Sequence, residues 1–291
     1  MSKYALFLGC TTPVKVPQYE LASRWVCEYF GIELIDVEEF TCCGINQVNL
    51  SIEAGLLMAA MNLALAEAKG LDILTLCAAC TGALAEAIEK LKDETTRNSV
   101  NEKLREVDLE YKGKIKVRHI SRVLYEDVGI EKIKREIKKD LSSLRVAPHY
   151  GCHYLRPKSA FGGFEEPDNP RTLHELILAT GARPVEYETL NLCCGGKVFP
   201  VSGDLSRALV QKKLDNLADK EIDAMALQCQ TCYLMYSDQQ KEVNQKYDKK
   251  YNLPVILYPQ LLGLALGADP VKNLGLNLHS ISPEKIISKV V

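Results

Sequence analysis

Short apolar runs alternate with longer amphipathic stretches along this chain, and their order is the same in both halves. Each half opens with an apolar run ending in Gly-Cys (ALFLGC, then VAPHYGC) and reaches a second one after an amphipathic stretch. Helical patterns at residues 51–69 and 203–220 then lead into a third run (LDILTLC, then IDAMALQC). Apolar runs between helical patterns are typical of βαβ units. We therefore predict an α/β fold of two pseudo-symmetric repeats, each a small, mostly parallel sheet flanked by helices.

The boundary between the repeats is predicted within residues 141–145, after a lysine-rich helical pattern at residues 131–140. This gives a first repeat domain at residues 1–143 and a second at residues 144–291. Gly31 and Gly181 stand at equivalent places where a helix C-cap is expected. The highly charged residues 89–118 are predicted to form a solvated helix and a connector.

Ten of the eleven cysteines follow the same repeat. Each half carries a single cysteine, then Cys-Cys-Gly, then Cys-x-x-Cys, and the step from that glycine to the Cys-x-x-Cys is 33 residues in one half and 34 in the other. Cys27 lies outside the pattern, opposite Ile177, and is predicted to be a small buried apolar residue. The first set is Cys10, Cys42, Cys43, Cys77 and Cys80, and the second is Cys152, Cys193, Cys194, Cys229 and Cys232.

These cysteines point to metal binding. A disulfide framework fits poorly, because the count is odd and two pairs are adjacent in sequence. Every set follows predicted strands, whose carboxyl ends would bring its thiols to one crevice, and the glycine after each pair allows a positive φ or a close backbone approach beside the cluster. Structural zinc and a cubane 4Fe–4S cluster each need four ligands. Five cysteines per half therefore favour an iron–sulfur cluster, with zinc in one half as the alternative.

The composition narrows the class of protein. Lysine and arginine (36) nearly balance aspartate and glutamate (38), which argues against a nucleic-acid partner. The longest apolar stretches, residues 56–68 and 255–268, fall short of the roughly 20 residues that span a bilayer, and the N-terminus lacks a secretory signal. A cytoplasmic protein without a membrane span is expected. No phosphate-binding loop is present, so flavin and nucleotide chemistry would belong to a partner.

The doubled cysteine pattern resembles the cysteine-rich CCG domain pair in the B subunit of heterodisulfide reductase from methanogenic archaea, over essentially the whole chain. The resemblance implies an oxidoreductase that reduces the mixed disulfide of coenzyme M and coenzyme B to two thiols, with one non-cubane 4Fe–4S cluster on each five-cysteine set. It also implies three partners: a ferredoxin-like subunit, a flavin-bearing subunit, and an associated hydrogenase or formate dehydrogenase.

An alternative function comes from the same family. CCG domain pairs also occur in iron–sulfur subunits of glycolate, lactate and succinate oxidation, so an electron-transfer subunit of a hydroxy-acid or succinate oxidising complex is the second hypothesis. Several such proteins carry an N-terminal ferredoxin-like segment. The first cysteine of this chain already belongs to the CCG pattern, which favours a stand-alone B subunit.

Four further residues are predicted to act on the substrate. His153 directly follows Cys152 where the first half has Thr11, and we predict that it supplies a proton to the product thiols; the alternative is a hydrogen bond that tunes a cluster. Arg156, Lys158 and Lys197 are predicted to bind the anionic ends of the disulfide. The remaining histidines are interpreted as structural: His119, His149, His174 and His279.

Overall fold

Two four-stranded sheets carry the fold. The computed structural model describes residues 2–290, so the outer ends of the predicted domains, Met1 and Val291, lie outside the described residues. All strand pairs within each sheet are parallel, which confirms the predicted α/β class with two pseudo-repeats. The strands are β1 (Lys3–Phe7), β2 (Glu33–Asp36), β3 (Asp72–Thr75), β4 (Val117–His119), β5 (Arg145–His149), β6 (Arg183–Pro184), β7 (Ala224–Leu227) and β8 (Val255–Leu257).

The strand order is the same in both sheets. The first runs β2-β1-β3-β4 and the second runs β6-β5-β7-β8. Helices connect the strands. They are α1 (Thr12–Lys15), α2 (Pro17–Tyr29), α3 (Ile52–Ala68), α4 (Ala78–Lys90), α5 (Glu94–Leu104), α6 (Ile120–Val123), α7 (Ile130–Glu136), α8 (Cys152–Leu155), α9 (Thr172–Ala179), α10 (Gly203–Ala218), α11 (Gln230–Tyr236), α12 (Gln239–Tyr247), α13 (Tyr258–Ala265) and α14 (Glu284–Val290).

Helices α3 and α10, which follow the two Cys-Cys-Gly motifs, both begin with a serine cap. The Ser51 hydroxyl accepts a hydrogen bond from the backbone N–H of Ala54 at 3.1 Å, and the Ser202 hydroxyl accepts one from Leu205 at 3.3 Å. A serine at this position satisfies a backbone donor that the first helical turn leaves free. The ends of α2 and α9 are followed by Gly31 and Gly181, both with positive φ, as predicted for C-capping glycines.

The charged segment 89–118 differs from its prediction. It does form the helix α5, but Val100 and Leu104 of that helix are buried, and the predicted connector contains the edge strand β4. Lysines and arginines surround the three residues of β4, which hides the apolar signal of a strand. The Arg118 guanidinium binds the carboxylate of Asp127 at 2.6 Å, so its charge is neutralised at the sheet edge.

One large hydrophobic core joins the two repeats. It contains side chains of both sheets, such as Leu74 of β3 and Leu227 of β7, and it includes Val26 of α2 and Leu261 of α13, two helices that pack against each other. The two sheets are therefore held in a fixed relation by a shared apolar interior. The predicted domain boundary between residues 143 and 144 stays a prediction.

Leu261→Ala tests this shared core. Leu261 is fully buried, so its truncation should lower the free energy of unfolding by about 2–5 kcal/mol. Leu278→Ala is the matched control, because 53% of Leu278 is exposed and its loss should change that free energy by less than about 0.5 kcal/mol. Denaturant unfolding of anaerobically purified protein measures both. Equal losses in the two variants would contradict a core at this position.

Candidate functional site

The ten repeated cysteines lie beyond the carboxyl ends of the strands. Cys10 follows β1 and Cys152 follows β5, while Cys77 and Cys229 come directly after β3 and β7 at the starts of α4 and α11. The Cys-Cys pairs follow β2 and β6. Parallel strands present these turns at one edge of each sheet. The placement of each set at a sheet edge agrees with the expectation from the sequence.

The thiols form one continuous row. Each thiol is close enough to the next to shift its pKa, and the two sets meet where Cys77 of the first half lies beside Cys229 of the second. The spacing of the cysteines gave no indication of this contact, since it depends on how the two sheets pack. The successive neighbours are Cys10, Cys42, Cys43, Cys80 and Cys77, then Cys229, Cys232, Cys194, Cys193 and Cys152.

Hydrogen bonds divide the thiols into those that release a proton easily and those that keep it. The hydrogen bond from Cys80 lowers the pKa of Cys43 to about 7. The hydrogen bond from Cys152 lowers the pKa of Cys193 strongly and raises that of Cys152 itself. Several thiols are therefore ready to act as thiolates, the form that binds metal.

Backbone N–H groups also point at the sulfurs. The N–H of Cys80 donates to Cys77 Sγ at 3.3 Å, at the start of α4. In the second half the N–H groups of Gly195 and Gly196 donate to the sulfurs of Cys193 and Cys194 at 3.3 and 3.4 Å. Such donors stabilise negative charge on sulfur, so the backbone supports a thiolate at both sites.

A glycine precedes the first cysteine of each set and gives the sulfurs room. Gly9 and Gly151 both have positive φ. A Cβ on Gly9 would lie 2.9 Å from Cys80 Sγ, and a Cβ on Gly151 would lie 3.3 Å from Cys229 Cβ. Only glycine combines this backbone conformation with so close an approach.

The glycines of the two Cys-Cys-Gly motifs act differently from the expectation. Both have positive φ, as predicted, but their close approach is to a helix. A Cβ on Gly44 would lie 2.5 Å from the carbonyl oxygen of Gly55 in α3, and one on Gly195 would lie 2.6 Å from Ser206 Oγ in α10. These glycines fix the cysteine pair against the long helix that follows it.

The donor set fits an iron–sulfur cluster in each half. The cluster's ligands are thiolates, each half offers five thiols that neighbour one another in succession, and backbone donors and the glycine gaps accompany them. A small cavity adjoins the second set and is lined by four of its cysteines. Within residues 2–290 no three histidine, cysteine or carboxylate side chains converge on the position of a single metal ion.

A cleft connects the two halves beside the sulfur row. It opens to solvent and is lined by Cys43 and Glu86 of the first half and by His153 and Lys197 of the second. Lys90, at the end of α4, lines it as well. No ion pair involves Lys90 or Lys197 in the described part of the chain. The cleft thus combines a thiol, an imidazole, a carboxylate and two ammonium groups that form no ion pair within residues 2–290.

His153 lies between the two halves. It packs against Gly82 of α4, where a Cβ would come 3.1 Å from the His153 carbonyl oxygen and 3.2 Å from its Cβ. Burial lowers the pKa of the imidazole, and the neighbouring Lys197 ammonium lowers it further. At the equivalent position of the other repeat, each of these residues has a counterpart of the opposite size: Thr11 corresponds to His153, and Leu234 corresponds to Gly82. Gly82 therefore makes space for the histidine.

The other two predicted cationic residues lie outside this cleft. Arg156 lines the cavity beside the second cysteine set, but its guanidinium is exposed and binds Asp168 at 2.7 Å. Lys158 is exposed and forms an ion pair with Glu166. Their roles in substrate binding stay predictions.

The residues interpreted as structural are buried or hydrogen-bonded. Burial raises the pKa of Cys27 to about 12, so its thiol stays protonated and apolar. His119 accepts a hydrogen bond from the Ser121 N–H through Nδ1, and burial lowers its pKa to about 4. His174 binds the Tyr150 hydroxyl at 2.7 Å, and His279 lies 2.9 Å from the Gln260 amide.

The sequence interpretation missed Glu86 and Lys90, and also Lys213, which is fully buried in α10. Glu86 and Lys90 lie one helical turn apart on α4, the helix that begins at Cys77, and this spacing was the available signal. Lys213 falls on the apolar stripe of α10 with Val210, Leu214 and Leu217, which marks it as unusual.

Comparison with known proteins places the chain in a family. The family model of the cysteine-rich domain named CCG matches residues 4–85 and again residues 146–237, and these two segments contain all ten repeated cysteines. The chain belongs to the CCG cysteine-rich domain family. This CCG protein is 36% identical, over all of its length and 97% of the relative's, to the B subunit of the ferredoxin/F420H2-dependent CoB-CoM heterodisulfide reductase of Methanosarcina acetivorans.

Two further similarities place this CCG protein more broadly. It is 32% identical to the 8-methylmenaquinol:fumarate reductase membrane anchor subunit of Wolinella succinogenes, over 98% of this chain and 99% of that one. Within residues 2–290 no helix is long and apolar enough to cross a membrane. The fold resembles the crystal structure of a hypothetical protein from Helicobacter pylori (TM-score 0.77, 19% identity), over 97% of this chain and about half (52%) of that one. The last similarity shows the fold alone.

Gly195→Ala tests the contact between the Cys-Cys-Gly motif and α10. The new Cβ would meet both the side chain and the backbone of Ser206, so we expect a loss of about 1–3 kcal/mol in the free energy of unfolding beyond the cost of the positive φ itself. Gly113→Ala is the matched control: its φ of 80° is close to the 78° of Gly195, and nothing lies within 4 Å of its Cβ. Equal destabilisation in denaturant unfolding would show that only the backbone conformation matters.

Proposed function

We propose that this chain is the iron–sulfur subunit that reduces the mixed disulfide of coenzyme M and coenzyme B in a heterodisulfide reductase complex. One observation carries the proposal: two five-cysteine sets meet at Cys77 and Cys229, and a cleft with unpaired cationic groups opens beside them. The identity to the B subunit of a heterodisulfide reductase over the whole chain supports it.

The reaction requires two electrons and two protons. The S–S bond breaks, and each sulfur leaves as a thiol after gaining one electron and one proton. When bound to the two cysteine sets, the iron–sulfur clusters supply electrons, and by the family resemblance they are non-cubane 4Fe–4S clusters. The first would be held by Cys10, Cys42, Cys43, Cys77 and Cys80, and the second by Cys152, Cys193, Cys194, Cys229 and Cys232.

The residues of the cleft bind and orient the disulfide. Lys197 and Lys90 present ammonium groups to an anionic substrate, and both are free of competing carboxylate ion pairs among residues 2–290. His153 lines the same cleft and is the proposed proton donor at its ring nitrogen.

The proposal includes partners and a location. The Methanosarcina and Wolinella relatives are both named as subunits, so partner subunits are expected. We propose that the immediate electron donor is a ferredoxin-like subunit, with a flavin-bearing subunit and a hydrogenase or formate dehydrogenase behind it, all in the cytoplasm. Zinc in one half is the alternative to a second cluster.

A second candidate function is an electron-transfer subunit of a hydroxy-acid or succinate oxidising complex. The 32% identity to a fumarate reductase subunit over nearly the whole chain favours it. Turnover separates the two. With a reduced viologen dye and the mixed disulfide, the first function predicts dye oxidation with two dye molecules consumed per disulfide, whereas an electron-transfer subunit with intact clusters would leave the disulfide unreduced.

Cys77→Ala tests whether both cysteine sets are needed. Cys77 joins the two sets, so its loss should remove the iron of the first set and abolish disulfide turnover. Cys27→Ala is the control, because this buried thiol lies outside both sets. Iron analysis and the viologen assay measure the outcome. Full turnover by a Cys77→Ala protein that has lost half its iron would contradict a two-set mechanism.

Lys197→Met tests whether the ammonium groups that line the cleft bind the substrate. Losing one charge-assisted contact to an anionic substrate should lower kcat/KM for the mixed disulfide about tenfold, mainly through KM and more strongly at low salt. Lys158→Met is the matched control, since the ammonium of Lys158 is paired with Glu166 outside the cleft. A larger effect at Lys158 would place the substrate elsewhere.

A further inference from the structure

The residues around the two cysteine sets differ in charge and polarity, although the two halves of the chain have the same fold. Lys213 lies eighteen residues after Gly195 on α10, and the first-half residue eighteen after Gly44, on α3, is Asn62. At two other equivalent positions the second half again carries the more polar residue. His149 of the second half corresponds to Phe7, and Tyr236 corresponds to Leu84.

Lys213 is a fully buried lysine without a carboxylate partner. Its exposure is 0%, and its ammonium donates hydrogen bonds to the carbonyl oxygens of Leu190 (3.0 Å) and Thr189. The ring of Tyr236 lies 5.6 Å from Nζ, in the range of a cation–π contact. No ion pair involves Lys213 in the described part of the chain. A buried lysine is ordinarily paired with a charge, so a fully buried lysine without an ion pair is unusual.

The second cysteine set lies beside Lys213. The carbonyl oxygens that accept from its ammonium belong to the segment just before Cys193, and His149, 3.2 Å from the ammonium, lines the same cavity as Cys193 and Cys194. Burial lowers the pKa of Lys213 to about 7, and the thiolates of Cys232, Cys194 and Cys193 act against this by raising it. Metal binding requires the thiols to be deprotonated, so a filled second site keeps a negative charge facing the ammonium.

His149 connects Lys213 to the cavity beside the second set. The ammonium lies 3.2 Å from His149 Nδ1, which leaves the proton of the ring on Nε2. Nε2 is buried and has no hydrogen-bond partner among residues 2–290. The same histidine lines the cavity bounded by Cys152, Cys193, Cys194 and Cys232. A buried polar atom without a partner beside four thiols indicates a group that fills this space.

The first set has neutral and apolar surroundings at the same three positions. Asn62 accepts a hydrogen bond from the Thr41 N–H at 2.8 Å and donates one to the Cys42 carbonyl oxygen at 3.1 Å, so it holds the cysteine pair without adding charge. Phe7 packs against Phe40 with ring centroids 5.1 Å apart, and Leu84 is fully buried.

We propose that Lys213, acting with His149, is a positioning residue that gives the second iron–sulfur site a higher reduction potential than the first. Net charge and hydrogen bonds around a cluster set its potential, and a cation in a buried, low-dielectric place favours the state with one more electron. An electron entering the chain would then settle preferentially in the second half, across the Cys77–Cys229 contact. The inference rests on the proposed function, since it needs a cluster in both halves.

The experiment is a stepwise reductive titration of the anaerobically purified, cluster-loaded chain, followed by electron paramagnetic resonance. Signals are assigned to the two halves with Cys10→Ala and Cys152→Ala, which disrupt one set each. In the unaltered chain we expect the equilibrium constant for reduction to favour the second site about tenfold or more, equivalent to about 59 mV for one electron.

Two substitutions separate charge from hydrogen bonding. Lys213→Gln keeps N–H donors for Thr189 and Leu190 but removes the charge, so the preference for the second site should be lost. Lys213→Arg keeps the charge and should retain the preference. Equal potentials in the unaltered chain, or a preference that survives Lys213→Gln, would overturn the inference and reduce Lys213 to a structural hydrogen-bond donor.

A reciprocal variant decides the matter if Lys213→Gln does not fold or load. Asn62→Lys introduces the ammonium beneath the first set, and a rise in the potential of the first site would support the inference, while an unchanged potential would overturn it. A well-folded, unaltered chain that contains no iron–sulfur would overturn the proposed function itself. Iron analysis before the titration distinguishes that failure from the failure of the Lys213 inference.

Discussion

The contact between Cys77 and Cys229 is the interaction on which the functional account depends. Each of these thiols begins a helix at the carboxyl edge of a parallel sheet, and the shared core holds the two sheets so that the edges meet. The contact converts two separate five-thiol sets into one row. A separation of the sheets would leave two isolated cysteine sets, whereas their packing brings the two sets side by side.

The chain keeps its backbone symmetric and changes the side chains around it. Both sheets have the same strand order, both Cys-Cys-Gly glycines press against a long helix, and both sets have a glycine before their first cysteine. The two halves differ in their side chains: the second half has His153 and Lys213 where the first half has Thr11 and Asn62. The two sulfurs of an asymmetric disulfide are chemically different, so unlike side chains beside the two cysteine sets suit its reduction.

Much of the fold was predictable from the sequence. The pattern at residues 51–69 predicts α3 (Ile52–Ala68) to within one residue at each end, because Ser51 caps it and the segment is rich in the strong helix formers alanine, leucine and methionine. Strand β4 was missed, since its three residues lie among lysines and arginines. Strand β6 has only two residues, too few for periodicity to define its bounds.

The site was predictable in its composition but less so in its geometry. Spacing alone grouped the ten cysteines correctly into turns after strands, because that grouping depends on local order along the chain. The Cys77–Cys229 contact and the cleft lined by Cys43, His153 and Lys197 depend on how two sheets pack, which no local pattern reports. Of the three cationic candidates, sequence could not tell that Lys158 has a carboxylate partner and Lys197 does not.

The central claim is that both cysteine sets hold iron–sulfur clusters, and one measurement tests it most directly. Anaerobically purified chain is analysed by its ultraviolet–visible spectrum together with iron, zinc and acid-labile sulfide per chain. The account predicts a brown protein with about eight irons, the sum of two four-iron clusters. A colourless, well-folded protein that contains zinc and no sulfide would contradict it, and about four irons with one zinc would contradict the two-cluster account.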